Sequence, residues 1–293
     1  MAEKVLLDTD IGSDIDDAVC LAYLLAEPEC ELLGITTVSG QPAERAKLAS
    51  AICRAAGKGV AVYPGSEKPL KGPQRQPEAE HAAVLSRWPH QHEFPDGRAV
   101  EFMAETVRAS PGQVILLSIG PMTNVARLFQ SHPDVPGKLK GLMLMAGHFG
   151  PRQTGSRPDE WNVYCDPDAA EVVYRTRVAS HRSVGVDVTT QVQMNASEVR
   201  RRFDTALLLP VLDMAEVYFS KRDVLTFHDP LAAVCIFDDG VCVFQRGEVT
   251  VETRDEASLG LTGWSSRAGG PHEVAVRVHP ARFFSRYFGV FGS

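Results

Sequence analysis

The feature that most narrows the folds open to this chain is an alternation of short apolar runs with helical stretches. Val5 to Asp8, Leu32 to Val38, Val60 to Tyr63, Val114 to Ile119, Leu142 to Met145 and Ser183 to Val186 read as buried strands. Between them, Asp17 to Ala26, Ala43 to Ala56, Val100 to Ala109, Thr123 to Phe129 and Ala169 to Arg175 carry the helical period, with Pro42 near a helix start. Such an order predicts right-handed crossovers and an α/β fold: a mostly parallel central sheet flanked by helices, Rossmann-like in kind. No linker is visible in 293 residues that are 44% hydrophobic, so residues 1–293 are read as one domain. The stretch from Lys68 to Gly97 is rich in Pro, His, Gln and Glu without a clear period, and reads as a long loop or lid. After Asn195 the pattern turns mostly helical, giving a helix-rich C-terminal part, with Val249 to Thr253 and Glu273 to Val278 as a late antiparallel pair.

The first strand runs straight into Asp8-Thr9-Asp10-Ile11-Gly12-Ser13-Asp14-Ile15-Asp16-Asp17, five carboxylates in ten residues. Like charges this close raise one another's pKa unless a cation sits among them or they fan out into water. An oxygen-only set without His or Cys suits Ca²⁺ or Mg²⁺ better than zinc, and Gly12 lets the backbone turn tightly around an ion. Parallel sheets also bind ligands beyond the carboxyl ends of their strands, where this segment falls. The plainer alternative is a solvated acidic turn in which Asp16 or Asp17 caps the next helix. An EF-hand loop is a poor match, because its glycine belongs at the sixth position and its glutamate at the twelfth. A haloacid-dehalogenase-like phosphatase also starts with Asp-x-Asp, but its fifth position is Thr or Val where this chain has Gly12. No clear lysine partner accompanies Ser118 to complete that site.

The segment resembles the N-terminal signature of the nucleoside hydrolases of the inosine-uridine preferring type, with two extra residues before the Asp16-Asp17 pair. Further segments agree in order: Gly34-Ile35-Thr36-Thr37-Val38, Ile119-Gly120-Pro121-Met122-Thr123-Asn124, Glu160-Trp161-Asn162, Asp166-Pro167-Asp168-Ala169-Ala170, Gly185-Val186-Asp187 and His228-Asp229-Pro230. The resemblance implies hydrolysis of the N-glycosidic bond of ribonucleosides. It implies Ca²⁺ held by Asp10, Asp17, Asp229 and the carbonyl of Ile119, with Asp10 as general base. Asp16, Glu160 and Asn162 would meet the ribose hydroxyls. His228, beside Asp229, is a candidate proton donor to the leaving base, since imidazole titrates near neutral pH. Three places depart from the family: Gln41 follows Gly40 where many members have Asn, His81 stands in Glu80-His81-Ala82-Ala83-Val84 rather than a Gly-rich loop, and Thr154-Gly155-Ser156 occupies the region of an asparagine that contacts ribose. The family resemblance further implies a homodimer or homotetramer.

Composition trims the alternatives. A net charge of −7 offers no footprint for a phosphate backbone, so the expected ligand is a small ribonucleoside and not a nucleic-acid polymer. Six cysteines without a Cys-x-x-Cys pair suit a reducing cytoplasm, and no run near Met1 is long enough for a signal peptide or a membrane span. A protein that binds calcium and ribosides without turning them over uses the same residues and remains the main alternative to an enzyme.

Overall fold

In the computed structural model, which describes residues 2–152 and 160–292, the first half is a regular alternation. It runs β1 (Glu3–Thr9), α1 (Asp16–Ala26), β2 (Cys30–Thr37), α2 (Pro42–Ala55), β3 (Val62–Pro64), a 3₁₀ helix (Glu80–Arg87), α3 (Ala99–Ala109), β4 (Val114–Ser118), α4 (Thr123–Ser131) and β5 (Gly141–Met145). The second half continues with α5 (Trp161–Cys165), α6 (Pro167–Arg175), β6 (His181–Val184), α7 (Val186–Thr189), β7 (Gln193–Asn195), α8 (Ala196–Arg202), α9 (Leu208–Phe219), β8 (Val224–Thr226) and α10 (His228–Phe237). It closes with β9 (Cys242–Val251), β10 (Thr262–Ser266), β11 (His272–Val278) and α11 (Pro280–Gly289). No helix among the described residues is long and apolar enough to cross a membrane.

The main sheet has nine strands in the order β10-β9-β11-β6-β5-β4-β1-β2-β3, parallel from β3 through β11 and antiparallel at β9 and β10. Within it lies the strand order 3-2-1-4-5-6 of a dinucleotide-binding fold, although no dinucleotide fingerprint accompanies it. Residues alternate between the faces because the side-chain period of a strand is two. Leu6, Leu116, Leu142 and Leu144 join one apolar cluster with α3, α4 and α6, whereas Val5, Leu7, Leu117 and Met143 join the other with α1, α2, α9 and α10. Nearly every side chain of α1 is buried, since it packs against α10, α2 and α9 as well as the sheet.

Three sequence expectations change. The strand expected from Ser183 to Val186 lies two residues earlier, at His181–Val184, because Gly185 ends it and caps α7, which Val186 opens. The stretch from Lys68 to Gly97 contains the 3₁₀ helix, anchored by buried Val84 and Leu85; those two residues are too few to show as a period. The late antiparallel pair exists with another register: β11 pairs with residues 242–247 of β9, while Val249 and Val251 pair with β10. The C-terminal part is therefore helix-rich but also extends the sheet by three strands, β9 to β11.

Candidate active site

Chain direction across the sheet reverses at β1 and β4, because β2 and β3 lie to one side of β1 and β4 to β6 to the other. Loops leaving the carboxyl ends of two such strands diverge and open a crevice, the usual ligand position in open α/β sheets. The acidic loop after β1 and Ile119-Gly120 after β4 form its floor. Gly12 takes φ +122°, a region that favours glycine, at the turn of that loop. At Gly120 a Cβ would lie 2.7 Å from Oδ1 of Asp10, so only glycine lets β4 approach the carboxylate.

A cavity of about 600 Å³ stands over this floor, lined by Asp10, Asp16, Asp17, Ile119, Glu160, Asn162, His228 and Asp229 among others. Carboxylate oxygens of Asp16, Asp17 and Asp229, all buried, lie within 4.8 Å of one another. Asp10 lines the same cavity without joining that tight group, and Asp14 is exposed. Burial pushes Asp16, Asp17 and Asp229 well above the ordinary carboxylate range, and neighbouring aspartates push each further. Thr9 donates to Asp17, and the backbone N–H of Asp229 donates to Asp16 at 3.2 Å. No Lys or Arg forms an ion pair with these three among the described residues. Hard oxygen donors, buried together without a counter-ion, form a set able to hold a metal ion.

Asp10 is likewise raised by burial, while the guanidinium of Arg45 and a 2.6 Å hydrogen bond from Gln76 Nε2 to its Oδ2 oppose the shift. Asp8 lies beneath the floor, accepts from Thr36 (2.6 Å) and Asn124 (2.8 Å), and is pushed by burial to about 7. Glu160 is the N-cap of α5: backbone N–H groups of Gly147 (2.9 Å), Asn162 (2.7 Å) and Val163 (2.9 Å) donate to its carboxylate. These bonds cap α5, the helix that carries Asn162. Asn162 Nδ2 donates to the carbonyls of Ile119 and Met145, both at 2.9 Å, leaving its amide oxygen for a ligand. His228 opens α10 and is partly exposed, with Nδ1 2.5 Å from Thr189 Oγ1; burial lowers its pKa to about 4.

Two of the residues singled out from the sequence fall outside the cavity lining. Gln41 has left-handed backbone at the start of α2, and its amide oxygen accepts from the N–H of Ala79, so the longer side chain reaches the lid segment. His81 is buried in the 3₁₀ helix, its own N–H donating to the carbonyl of Gly12, with burial lowering its pKa to about 4. Thr154, Gly155 and Ser156 lie outside the described residues. Conversely, sequence reasoning passed over Gln76, Arg75, Trp161, Tyr218 and Arg222, which also line the cavity, and Arg45 beneath it. Trp161 is 48% exposed, a large apolar side chain at the mouth that its place in the Glu160-Trp161-Asn162 motif already hinted at.

Comparison with known proteins identifies the family. The model of the family described as inosine-uridine preferring nucleoside hydrolase matches residues 5–285. The inosine-uridine preferring nucleoside hydrolase of Leishmania major is 31% identical over 309 residues, covering 98% of this chain and 96% of that protein. Uridine nucleosidase 1 of Arabidopsis thaliana is 30% identical over 268 residues, covering 86% of this chain and 79% of that one. A solved purine-preferring ribonucleoside hydrolase from Gardnerella vaginalis shares the fold with a TM-score of 0.83 at 23% identity, over 98% of each chain. The chain belongs to the inosine-uridine preferring nucleoside hydrolase family and is an N-ribosyl hydrolase.

Proposed function

We propose that the chain hydrolyses the N-glycosidic bond of ribonucleosides in a calcium-dependent reaction that releases nucleobase and ribose. The observation that carries this reading is the buried group of Asp16, Asp17 and Asp229, opening with Asp10 into one cavity. Calcium held by Asp10, Asp17, Asp229 and the carbonyl of Ile119 would orient a water and ribose hydroxyls and acidify the water modestly. The carbonyl of Ile119 keeps a second lone pair after accepting from Asn162.

Asp10 is the general base, its carboxylate taking the proton of the attacking water. Asp16, Glu160 and the amide oxygen of Asn162 accept from ribose hydroxyls, and Glu160 also caps the helix that carries Asn162. The surrounding carboxylates favour positive charge developing on the sugar in an oxocarbenium-like transition state. His228 assists the departing base. With a pKa lowered to about 4 the ring is neutral at pH 7; in the tautomer whose Nδ1 accepts from Thr189 Oγ1, its Nε2–H gives the base a hydrogen bond, and the ring is not an ionised proton donor. A homodimer or homotetramer in the cytoplasm completes the reading, on the strength of the family resemblance and the free cysteines.

The test is base release from a panel of nucleosides, with and without chelator. Release that stops on chelation and returns with calcium is expected. Calcium and riboside binding without turnover would overturn catalysis, and undiminished release after exhaustive chelation would overturn the metal assignment.

A further inference from the structure

One side chain of the lid touches the residue assigned as base. Gln76 Nε2 donates to Asp10 Oδ2 at 2.6 Å, while Oδ1 of the same carboxylate lies against the backbone at Gly120. An amide can flip and present oxygen instead of nitrogen, and that orientation would set a lone pair against the carboxylate. Here the indole N–H of Trp161, a donor only, gives its hydrogen bond to Gln76 Oε1. With the oxygen held by Trp161, the amide nitrogen faces Asp10.

The backbone of Gln76 is held as firmly. Its carbonyl accepts from Gly40 N at 3.2 Å and from Arg45 Nη2 at 3.4 Å, and its N–H donates to Gln74 Oε1 at 2.7 Å. Arg45 is wholly buried, and its guanidinium also donates to the carbonyls of Asp10, Ile11 (3.2 Å) and Glu78 (3.1 Å). The same cation therefore ties down the acidic loop and the lid segment that carries Gln76, and so fixes both ends of the Gln76–Asp10 bond.

We infer that Gln76 is a positioning residue for hydrolysis, which fixes the rotation of the Asp10 carboxylate and is itself oriented by the indole N–H of Trp161. This rests on the reading of Asp10 as the base. A carboxylate free to rotate spends less time aligned with the water, and misplacement on the ångström scale costs ~10²-fold in rate. Ribose and metal contacts that do not involve Gln76 remain.

The experiment compares Gln76→Ala, Trp161→Phe and the double variant by steady-state kinetics on one ribonucleoside, with calcium binding followed by calorimetry. Gln76→Ala is expected to lower kcat by ~10- to 100-fold, with KM and calcium affinity changed by less than about threefold. Trp161→Phe keeps the aromatic face and removes the N–H, so it should lower kcat less. In the Gln76→Ala background it should add nothing, since two residues acting through one bond are not additive. Losses that add, a fall confined to KM, or native kcat in Gln76→Ala would each overturn the inference. Asp10→Asn separates the two levels: if it is inactive while Gln76→Ala is native, only the role of Gln76 falls, and if Asp10→Asn is itself native, both fall.

Discussion

At the carboxyl ends of β1 and β4, Asp16, Asp17 and Asp229 are buried within 4.8 Å of one another; on the flank of the same sheet, His181 on β6 and His272 on β11 are buried against Tyr174. The rings of Tyr174 and His181 stack with centroids 5.2 Å apart, and His272 meets His181 edge-on at 4.7 Å. Neither nitrogen of His181 has a partner among the described residues, whereas His272 Nδ1 accepts from Val249 N and Nε2 faces the carbonyl of Tyr174, which fixes its tautomer. Burial shifts both groups toward their uncharged forms, raising the aspartates and lowering His181 to about 3. The neutral form suffices at the histidines, which pack on Tyr174 of α6; His272 borders a second cavity, of about 800 Å³, but both its nitrogens are taken by Val249 and Tyr174. At the aspartates, oxygens face a cavity and can be satisfied by a cation and by hydroxyls. Burial with a shifted pKa therefore marks a candidate site only where donor geometry and an open cavity accompany it.

The largest expected effect tests whether the cavity acids see substrate. Ribonucleosides should exceed 2′-deoxyribonucleosides in kcat/KM by ~10⁴, because a site built for a hydroxyl leaves its own polar groups unpaired without it. Comparable kcat/KM for adenosine and 2′-deoxyadenosine would break the comparison at its acidic end. Next, Asp10→Asn should lower kcat by ~10³, within the range for general base catalysis. His181→Leu should leave kcat per folded molecule within about threefold, since its ring lies away from the lining; a large loss there would erase the contrast.

A smaller effect concerns His228. His228→Ala should slow hydrolysis of natural nucleosides by ~10-fold, the scale of one lost hydrogen bond, and spare a nitrophenyl riboside, whose leaving group needs no such hydrogen bond. Equal losses on both substrates would assign His228 to support of Asp229.

The smallest effects are in stability, and they carry opposite signs. The aspartates have raised folded pKa values, so in metal-free protein their contribution is most favourable below about pH 4 and is lost as pH rises. Calcium at a hundred times its Kd should restore about 2.7 kcal/mol, and Asp229→Asn should stabilise the metal-free protein at pH 8 while abolishing the calcium response. His181 has a folded pKa lowered to about 3 from an ordinary value near 6.5, so the unfolded chain binds the extra proton between those limits. Its contribution is full above about pH 6.5 and falls by about 1.4 kcal/mol per pH unit below it. Denaturant midpoints for His181→Leu at pH 5 and pH 7.5 should show that slope removed; an unchanged slope would show that His181 is not its source.

Much of the fold is legible in the sequence because a strand buried on both faces is largely apolar, and β1, β2, β4 and β5 announce themselves locally, whereas β6 (His-Arg-Ser-Val) has only one apolar residue and its signal falls two residues late. The acidic loop is legible for a similar reason, since Asp10, Asp16 and Asp17 lie on one short segment where charge repulsion demands an explanation. Asp229 and Asn162 are adjacent to nothing in the sequence that explains them; only the ordered motifs of the family bring them into view. Gln76 and Trp161 meet across 85 positions, from a lid without periodicity and from a turn of helix, and no local pattern signals a hydrogen bond between them. Gln41 and His81 carry the chemistry a ribose site needs, yet one side chain bonds to Ala79 and the other is packed inward.

By itself, then, the sequence determines the β-α order and the charge placed after the first strand, because both follow from burial and repulsion among near neighbours. Only the tertiary structure decides that β4 sits beside β1, so that the strand order reverses there and a cavity opens above the aspartates. It also decides that a buried Arg45 ties the lid to the acidic loop. Those outcomes depend on contacts between distant segments, where the packing of a whole sheet selects which polar side chains face the cavity and which are consumed in holding it together.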